Sequence, residues 1–382
     1  MRKFLAVLLV LTVLVPGAAF AENVIKIGVF EPVTGQNGGG GFQEVLGMRY
    51  AHTLTPTIEL GGVEYSIELV EVDNQSDKTA AVSAAQSLMA SGVSVVLGSY
   101  GSGVSIAAGE IFADAGVAAI GASCTNPQVT LGNDFYFRVC FLDPFQGAVM
   151  ANYAFQEGAR KAAVITELGD DYSSGLGNFF KNAFLGLGGE VVSEEQFQTG
   201  QTDFKAILTN IKAAEPDAIF APSSIATAPL LIKQARELGI TAKIMAGDTW
   251  ENVSIIENAG ADAEGVALST FFDEADPTAA EFVAGFKAYL NANPDSLEKN
   301  GGEGVAAVSA LGFDAYNVAI EAIKQAGSAD SRAIRDALVS VSSTGVTGAI
   351  AFDENGDAIK DMAYVKIVEN GAFKFLKTVT IE

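Results

Sequence analysis

The sequence predicts an α/β protein made of two doubly wound domains, and three observations lead to this expectation. Short runs rich in valine, isoleucine and alanine alternate with helical stretches from residue 24 onward. These runs lack clean polar alternation, which is typical of parallel strands covered on both faces. The same alternation restarts after residue 142, and a chain of 382 residues exceeds what one hydrophobic core usually serves. We therefore predict two lobes of similar size.

In the first half of the chain, four strands are predicted, and most lead into a helix. The strands are placed at 24–30, 67–72, 93–97 and 117–120. Helices are predicted at 43–54, at 80–89 and from near Val104. A run of four glycines, Gly38 to Gly41, precedes the first helix. It is interpreted as a flexible loop rather than a phosphate-binding loop, since glycine is conformationally permissive.

The second half repeats the alternation and then becomes largely helical. Its strands are predicted at 161–165, 190–192, 217–220 and 243–246, each followed by a helical stretch. Helical segments follow at about 276–292, 303–326 and 330–339, and strands at 349–352 and 362–367 end the chain. Two successive series of this kind predict two parallel sheets, each carrying helices on both faces.

The first 21 residues have the pattern of a signal peptide. Arg2 and Lys3 precede the run Phe4–Val15, which is apolar apart from one threonine and shorter than the roughly 20 residues of a membrane-spanning helix. A Pro-Gly pair and the small-x-small sequence Ala19–Ala21 follow, as a signal peptidase requires. An uncleaved membrane anchor is the alternative. We expect cleavage and, because no cysteine lies near the cleavage site, a free periplasmic protein rather than a lipoprotein.

Charge and rare residues exclude several classes of partner. The formal net charge of −23 disfavours binding to nucleic acid or to anionic lipid. The single histidine, His52, lies in an amphipathic helical pattern, so neither a metal site nor a cofactor is expected. Cys124 and Cys140 can persist as a disulfide in an oxidising compartment, and we predict that they pair. The bond requires Cα atoms within roughly 7 Å, a distance that sequence does not give.

Four loops at the carboxyl ends of predicted strands carry polar side chains. In open α/β sheets, ligands bind at this edge, where helix N-termini offer free N–H groups. The loops are 98–103, 121–127, 167–172 and 247–250. Their residues could instead be helix N-caps, for which Ser, Thr, Asn and Asp are favoured. The occurrence of all four at strand ends favours a binding site.

The polar groups of these loops suit a zwitterion. The hydroxyls of Ser102 and Thr125, with backbone amides at two helix starts, can bind a carboxylate. Asp248 can pair with an ammonium group, and Tyr172 can add a hydroxyl donor and an apolar ring.

Motifs for catalysis or nucleotide binding are absent from the sequence. Ile106 stands where a dinucleotide fingerprint starting at Gly101 requires a third glycine, and no Walker lysine motif occurs. A catalytic triad would need His52, which has no nucleophile elbow near it. We therefore expect a binding protein rather than an enzyme.

The loop sequences resemble those of the periplasmic leucine/isoleucine/valine-binding protein family, the type I solute-binding proteins of branched-chain amino acid ABC transporters. The likeness extends over essentially the whole chain after residue 23. It is clearest in the segments Leu97–Ser105, Cys124–Pro127 with Phe137-Arg138, Asp170–Gly175, Gln234–Gly239 and Phe352–Asp357.

This resemblance implies two Rossmann-like lobes joined by three hinge crossings that close over the ligand. The N-terminal lobe would comprise 24–141 plus 272–345, and the C-terminal lobe 142–271 plus 346–382. The crossings would lie near Cys140–Asp143, Ser269–Phe272 and Thr344–Gly348.

The resemblance also implies roles for individual residues. Ser102 and Thr125 match the carboxylate-binding hydroxyls, and Ser123 would offer its backbone carbonyl to the ammonium group. Asp248 matches the acidic partner of the ammonium group, and Tyr172 matches the aromatic residue that closes over the ligand.

Four departures from the family pattern leave the ligand's side chain open. Asp248 stands where branched-chain binders usually carry glutamate, and Ser224 where they often carry tyrosine. Cys124 occupies a usually small apolar position among the ligand-binding residues. The first loop, Thr34–Gly41, is rearranged and rich in glycine. Members of the family also bind amides and aromatic acids.

The sequence therefore predicts capture of an amino acid, with branched-chain amino acids among the candidates, for delivery to an inner-membrane ABC permease. A monomer without a cofactor is expected. A ligand sensor on the same fold, or a binder of an amide or aromatic acid, is the alternative. Fold and site alone do not separate transport from sensing.

Overall fold

A computed structural model describes residues 23–380 of the chain; the predicted signal peptide, 1–21, lies outside the described residues. The described chain contains one sheet of six strands, one of seven, and a short two-stranded sheet. Each of the larger sheets is mainly parallel and carries helices on both faces. The predicted α/β architecture of two lobes is confirmed.

The first sheet has the strand order β2-β3-β1-β4-β5-β6. All of its pairings are parallel except that of β2 with β3. Its strands are β1 (Val24–Glu31), β2 (Thr57–Leu60), β3 (Val63–Asp73), β4 (Val95–Leu97), β5 (Ala119–Gly121) and β6 (Tyr136–Arg138).

The second sheet has the order β15-β14-β11-β10-β9-β7-β8. Five of its strands are parallel, and the last two along the chain are added antiparallel at one edge. Its strands are β7 (Lys161–Leu168), β8 (Glu190–Gln198), β9 (Ala218–Phe220), β10 (Lys243–Ala246), β11 (Ala267–Thr270), β14 (Met362–Glu369) and β15 (Ala372–Thr380). The small sheet pairs β12 (Ser342–Gly345) with β13 (Gly348–Ala351).

The helices cover both faces of each sheet. They are α1 (Gly38–Leu54), α2 (Lys78–Ala90), α3 (Ser102–Ala115), α4 (Asp143–Gln156), α5 (Asp171–Gly186), α6 (Lys205–Ala214), α7 (Ala228–Glu237), α8 (Val253–Ala259), α9 (Ala280–Ala292), α10 (Pro294–Asn300), α11 (Ala307–Ala326) and α12 (Ser331–Leu338). Alternate side chains of β1 face opposite layers: Ile27 packs with α1 and α11, while Phe30 packs with α2 and α3. In the second sheet, α4 and α5 cover one face and α6 to α8 the other.

The chain passes between the two sheets three times. It leaves the first sheet after β6 and enters the second through α4 and β7. After β11 it returns, and α11 packs along α1 on the first sheet. It then crosses again to β14, which pairs antiparallel with β11. None of the helices in the described range is long and apolar enough to cross a membrane.

The glycine run at Gly38–Gly41 forms the first turn of α1, so the prediction of a flexible loop is wrong. A Cβ atom added at Gly41 would lie 2.1 Å from the Pro32 carbonyl oxygen, and one at Gly40 would lie 2.5 Å from the Tyr100 ring. Glycine is therefore needed at these positions for close approach. Sequence composition alone does not distinguish that use from flexibility.

The predicted Cys124–Cys140 disulfide is not formed, because both cysteines are free thiols with fully buried side chains. Cys124 packs with Phe112 and Tyr136 on the α2–α3 side of the first sheet. Cys140 belongs to the core on the opposite side. The two thiols thus lie in separate hydrophobic layers, although both follow neighbouring strands.

Candidate functional site

The carboxyl ends of parallel strands from both sheets meet at a small cavity of about 290 Å³ between the lobes. The loops after β4 and β5 approach from one side, and those after β7, β9 and β10 from the other. The cavity is lined by Asn37, Tyr100, Gly101, Ser123, Asp170, Tyr172, Ser223, Ser224 and Thr249. This placement agrees with the general location of ligand sites in doubly wound folds.

The wall from the first lobe presents hydroxyl groups near a helix N-terminus. Ser102 is the first residue of α3, and its Oγ accepts a hydrogen bond from the Asn126 amide at 3.1 Å. The buried Thr125 hydroxyl lies beside the Asp143 carboxyl without forming a hydrogen bond of normal geometry. Thr125 Oγ1 therefore keeps its hydrogen-bonding capacity, as does the N-terminal end of α3.

The wall from the second lobe centres on the Asp248 carboxylate. Tyr172 donates its hydroxyl to Asp248 Oδ1 at 3.0 Å, and Gln146 Nε2 donates to the same oxygen at 2.7 Å. Burial raises the pKa of Asp248 to about 6, even though both hydrogen bonds act to lower it. The carboxyl is thus largely ionised at neutral pH. Both donors reach one oxygen, which leaves Oδ2 for a ligand.

Tyr100 lines the cavity from the first lobe. It is 3% exposed, and its hydroxyl donates across the cleft to the Thr249 carbonyl at 3.3 Å. Its ring lies against Gly40 in the first turn of α1. Its backbone N–H donates to Glu31 Oε2 at 2.6 Å, which fixes the base of the side chain.

Buried acids surround the site. Glu31 and Glu44 lie side by side, and burial together with the neighbouring carboxyl raises the pKa of Glu31 well above its usual range. Burial also raises the pKa of Glu44 to about 7, and Glu44 accepts a hydrogen bond from the Ser123 hydroxyl. Desolvation raises the pKa of Asp143 to about 8 and that of Asp170 to about 7. Within the described chain, Asp170 is the charged residue present in the cavity lining, and no lysine or arginine lines it.

A buried arginine shapes the loop after β5. Arg138 has no exposed surface and forms an ion pair with Asp357. Its Nη1 donates to the backbone carbonyls of Cys124 and Asn126 at 2.7 and 2.6 Å. Arg138 therefore holds the loop that carries Ser123 and Thr125, and it is not itself placed at the cavity.

The two lobes contact each other directly near the cavity. The Ala226 amide donates to the Gln36 carbonyl at 3.1 Å, and the Ile225 amide donates to Asn37 Oδ1 at 3.0 Å. Lys78 of the first lobe also forms a 2.7 Å ion pair with Asp171 of the second. These contacts describe a closed cleft.

A sequence model described as "Periplasmic binding protein" matches residues 24–372, which is most of the chain. The chain belongs to this family. A crystal structure of a leucine-binding protein from Thermotoga maritima is 37% identical and superposes with a TM-score of 0.85, covering 93% of this chain and 99% of that one. The branched-chain amino acid transporter substrate-binding protein of Streptococcus pneumoniae, solved with isoleucine, is 30% identical with a TM-score of 0.82, covering 94% and 99%.

A curated relative from Pseudomonas aeruginosa is named as a leucine-, isoleucine-, valine-, threonine- and alanine-binding protein. It is 28% identical over 89% of this chain and 88% of its own length. The resemblance to the leucine/isoleucine/valine-binding proteins that the loop sequences indicate is therefore confirmed.

In this periplasmic binding protein, the residues predicted from sequence fall into three groups. Ser123, Tyr172 and Ser224 line the cavity. Ser102, Thr125 and Asp248 lie directly behind that lining and are buried. The expectation that Cys124 contacts the ligand is not supported, because its side chain packs into the α2–α3 core and only its carbonyl faces Arg138.

Four residues of the lining were not predicted as site residues, although three of them lie in the polar loops at strand ends: Asn37, Tyr100, Asp170 and Thr249. Their positions in or near loops at strand ends were the sequence feature that could have indicated them. Which side chain of such a loop faces the cleft depends on the conformation of the turn. The 3.6-residue period of helices and the two-residue period of strands do not extend into turns, so they do not predict this.

Proposed function

We propose that this protein captures an α-amino acid between its lobes and presents it to the permease of an ABC transporter. The observation that carries the proposal is the opposition of an anionic group and neutral donors across one cavity. Asp248 provides a buried carboxylate with one oxygen already saturated. Across the cleft, Thr125 and the N-terminal end of α3 provide hydrogen-bond donors. This arrangement complements an ammonium group at one end and a carboxylate at the other.

In this proposal, Asp248 Oδ2 and the Ser123 carbonyl bind the ammonium group, and Ser102 and Thr125 bind the carboxylate. Tyr172 covers the ligand from the second lobe, and Ser224 faces the ligand's side chain. The protein would bind its ligand without catalysing a reaction. We expect no cofactor and a monomeric protein.

The lobes would close as bodies about the crossings near Cys140–Asp143, Ser269–Phe272 and Thr344–Gly348. The proposed N-terminal lobe comprises 24–141 plus 272–345, and the C-terminal lobe 142–271 plus 346–382. The contacts between Gln36 and Ala226 would then form on closure and create the surface that a permease recognises. Removal of 1–21 would release the protein into the periplasm.

A thermal-shift panel of the twenty amino acids tests the proposal. The protein is first unfolded and refolded to remove any bound ligand. An amino acid present at about 100 times its Kd should stabilise the folded state by about 2.7 kcal/mol. Benzoate and a simple amide serve as comparison ligands. A melting curve that moves with one of those comparison ligands but with no amino acid would reject the proposal.

A further inference from the structure

The cavity lining has a chemical character that differs from an aliphatic pocket. Its nine residues provide hydroxyls, one amide, one carboxyl and a glycine. In the part of the chain that the structure describes, no leucine, isoleucine, valine, methionine or phenylalanine lines it. The empty space inside this lining is about 290 Å³, open solvent included.

Tyr100 and Tyr172 are the two largest side chains of the cavity lining, and Tyr100 projects from the first lobe. Three contacts fix its position. Its backbone N–H donates to Glu31, its ring rests on Gly40, and its hydroxyl donates to the Thr249 carbonyl. Gly40 is what makes room for the ring, because a Cβ there would lie 2.5 Å from the ring carbons. The ring therefore cannot withdraw toward α1 to admit a larger ligand without disturbing that helix.

The polar atoms around the remaining space include groups without partners. The Ser223 hydroxyl is buried and has no hydrogen-bond partner in the described residues. The Ser224 hydroxyl is engaged only with its neighbour Thr227 at 2.9 Å. An aliphatic side chain placed here would leave these groups desolvated and unpaired, which is unfavourable.

We propose that Tyr100 restricts the ligand to amino acids whose side chain is very small or carries a hydroxyl, in the size range of glycine, alanine, serine and threonine. This inference rests on the proposed capture of an amino acid. Leucine, isoleucine and phenylalanine are excluded by the Tyr100 ring and by the unpaired hydroxyls. Aspartate and glutamate are excluded because Asp170 lines the cavity and Glu44 lies behind it.

Isothermal titration calorimetry of the ligand-free protein with alanine, serine, threonine, leucine and glutamate tests the inference. We expect at least one of the small amino acids to bind roughly 100-fold more tightly than leucine, since a polar site rejects a ligand that leaves its groups unpaired. Leucine binding within tenfold of the best small amino acid would overturn the inference and leave the proposed function intact. Failure of every amino acid to bind would instead reject the proposed function.

Two substitutions test whether Tyr100 sets the limit on the size of the ligand's side chain. In Tyr100→Ala, removal of the ring should improve the affinity for leucine relative to alanine by tenfold or more. In the matched variant Tyr100→Phe, the ring remains and only the hydroxyl is lost, so leucine should still be rejected. Equal leucine-to-alanine ratios in Tyr100→Ala and the wild-type protein would show that another residue sets the limit. If Tyr100→Ala does not fold, the wild-type titrations still show which size of amino acid side chain the protein accepts. Tyr100→Leu then tests whether the aromatic ring sets that limit.

Discussion

The side chain of Asp248 is buried, and two hydrogen bonds hold its carboxylate in place. Its Oδ1 accepts hydrogen bonds from Tyr172 and Gln146, and burial raises its pKa to about 6. A buried carboxylate with an open oxygen gains much more from an ammonium ligand than an exposed carboxylate does. Tyr172 and Gln146 hold this carboxylate in position.

The affinity for an amino acid should depend on the ionisation of Asp248. In the proposed function the ammonium group pairs with the Asp248 carboxylate, so the affinity should fall as the pH drops through about 6. Asp248→Asn should weaken binding by roughly 100-fold or more at pH 7.5, since loss of one partner of a buried pair costs about 3–5 kcal/mol. Calorimetric titration from pH 8 to pH 5 measures both effects. The exposed Glu354→Gln is the control, and an Asp248→Asn variant with wild-type affinity would contradict the assigned role.

At the scale of single elements, the first turn of α1 shows how a glycine run can be a packing feature. Gly38–Gly41 begins the helix, and the Asn37 side chain that precedes it accepts a bond from Ile225 rather than capping the helix. The backbone of this turn approaches Pro32 and Tyr100 more closely than any side chain would allow. The start of α1 thereby contacts both Tyr100 and the second lobe.

Gly41→Ala should destabilise the protein by about 1–3 kcal/mol, as overpacking does, because the new Cβ would lie 2.1 Å from the Pro32 carbonyl oxygen. Gly186→Ala is the matched control in another helix. Gly186 has open space around it, so that variant should be neutral or more stable by up to about 1 kcal/mol. Urea unfolding of both variants gives the comparison. Equal stability of the two variants would show that α1 can shift to accommodate the methyl group.

Over the whole molecule, the buried acids link folding to pH. The pKa values of Glu44, Asp143 and Asp170 are raised to about 7, 8 and 7 by burial. Between the ordinary carboxyl pKa near 4 and these raised values, the folded state binds more protons than the unfolded state. The free energy of unfolding must then decrease as the pH rises through this interval. The negative surface charge adds to the same trend.

The protein should therefore unfold at a lower temperature at pH 8 than at pH 5.5. Asp143, whose two carboxyl oxygens have no hydrogen-bond partner in the described residues, is the acid to test. Asp143→Asn should remove part of this pH-dependent loss of stability. The part removed should be on the order of 2 kcal/mol of unfolding free energy between pH 5 and pH 8. Melting temperatures across this interval measure the effect, with Glu354→Gln as the control. A pH profile in Asp143→Asn that parallels the wild type would show that this carboxyl ionises as readily when folded.

Sequence periodicity predicted most of the fold but missed five strands, which are β2, β6, β11, β12 and β15. β6 and β11 have three and four residues, and the apolar runs around them lack a length that distinguishes strand from loop. Their pairing with β5 and β10 forms only when the sheet assembles. Ser269–Phe272, predicted as a crossing, overlaps the end of β11 for the same reason.

The sequence by itself determined the α/β class, the two series of strands and helices, and the loops at strand ends that supply Ser123, Tyr172 and Asp248. These properties follow from local patterns, since a buried strand and a polar loop can each be recognised within a few residues. Tertiary structure alone decided that Tyr100 lines the cavity, that Gly40 makes room for its ring, and that the two cysteines lie in separate layers. Those outcomes depend on which face a side chain takes and on contacts between residues distant in sequence.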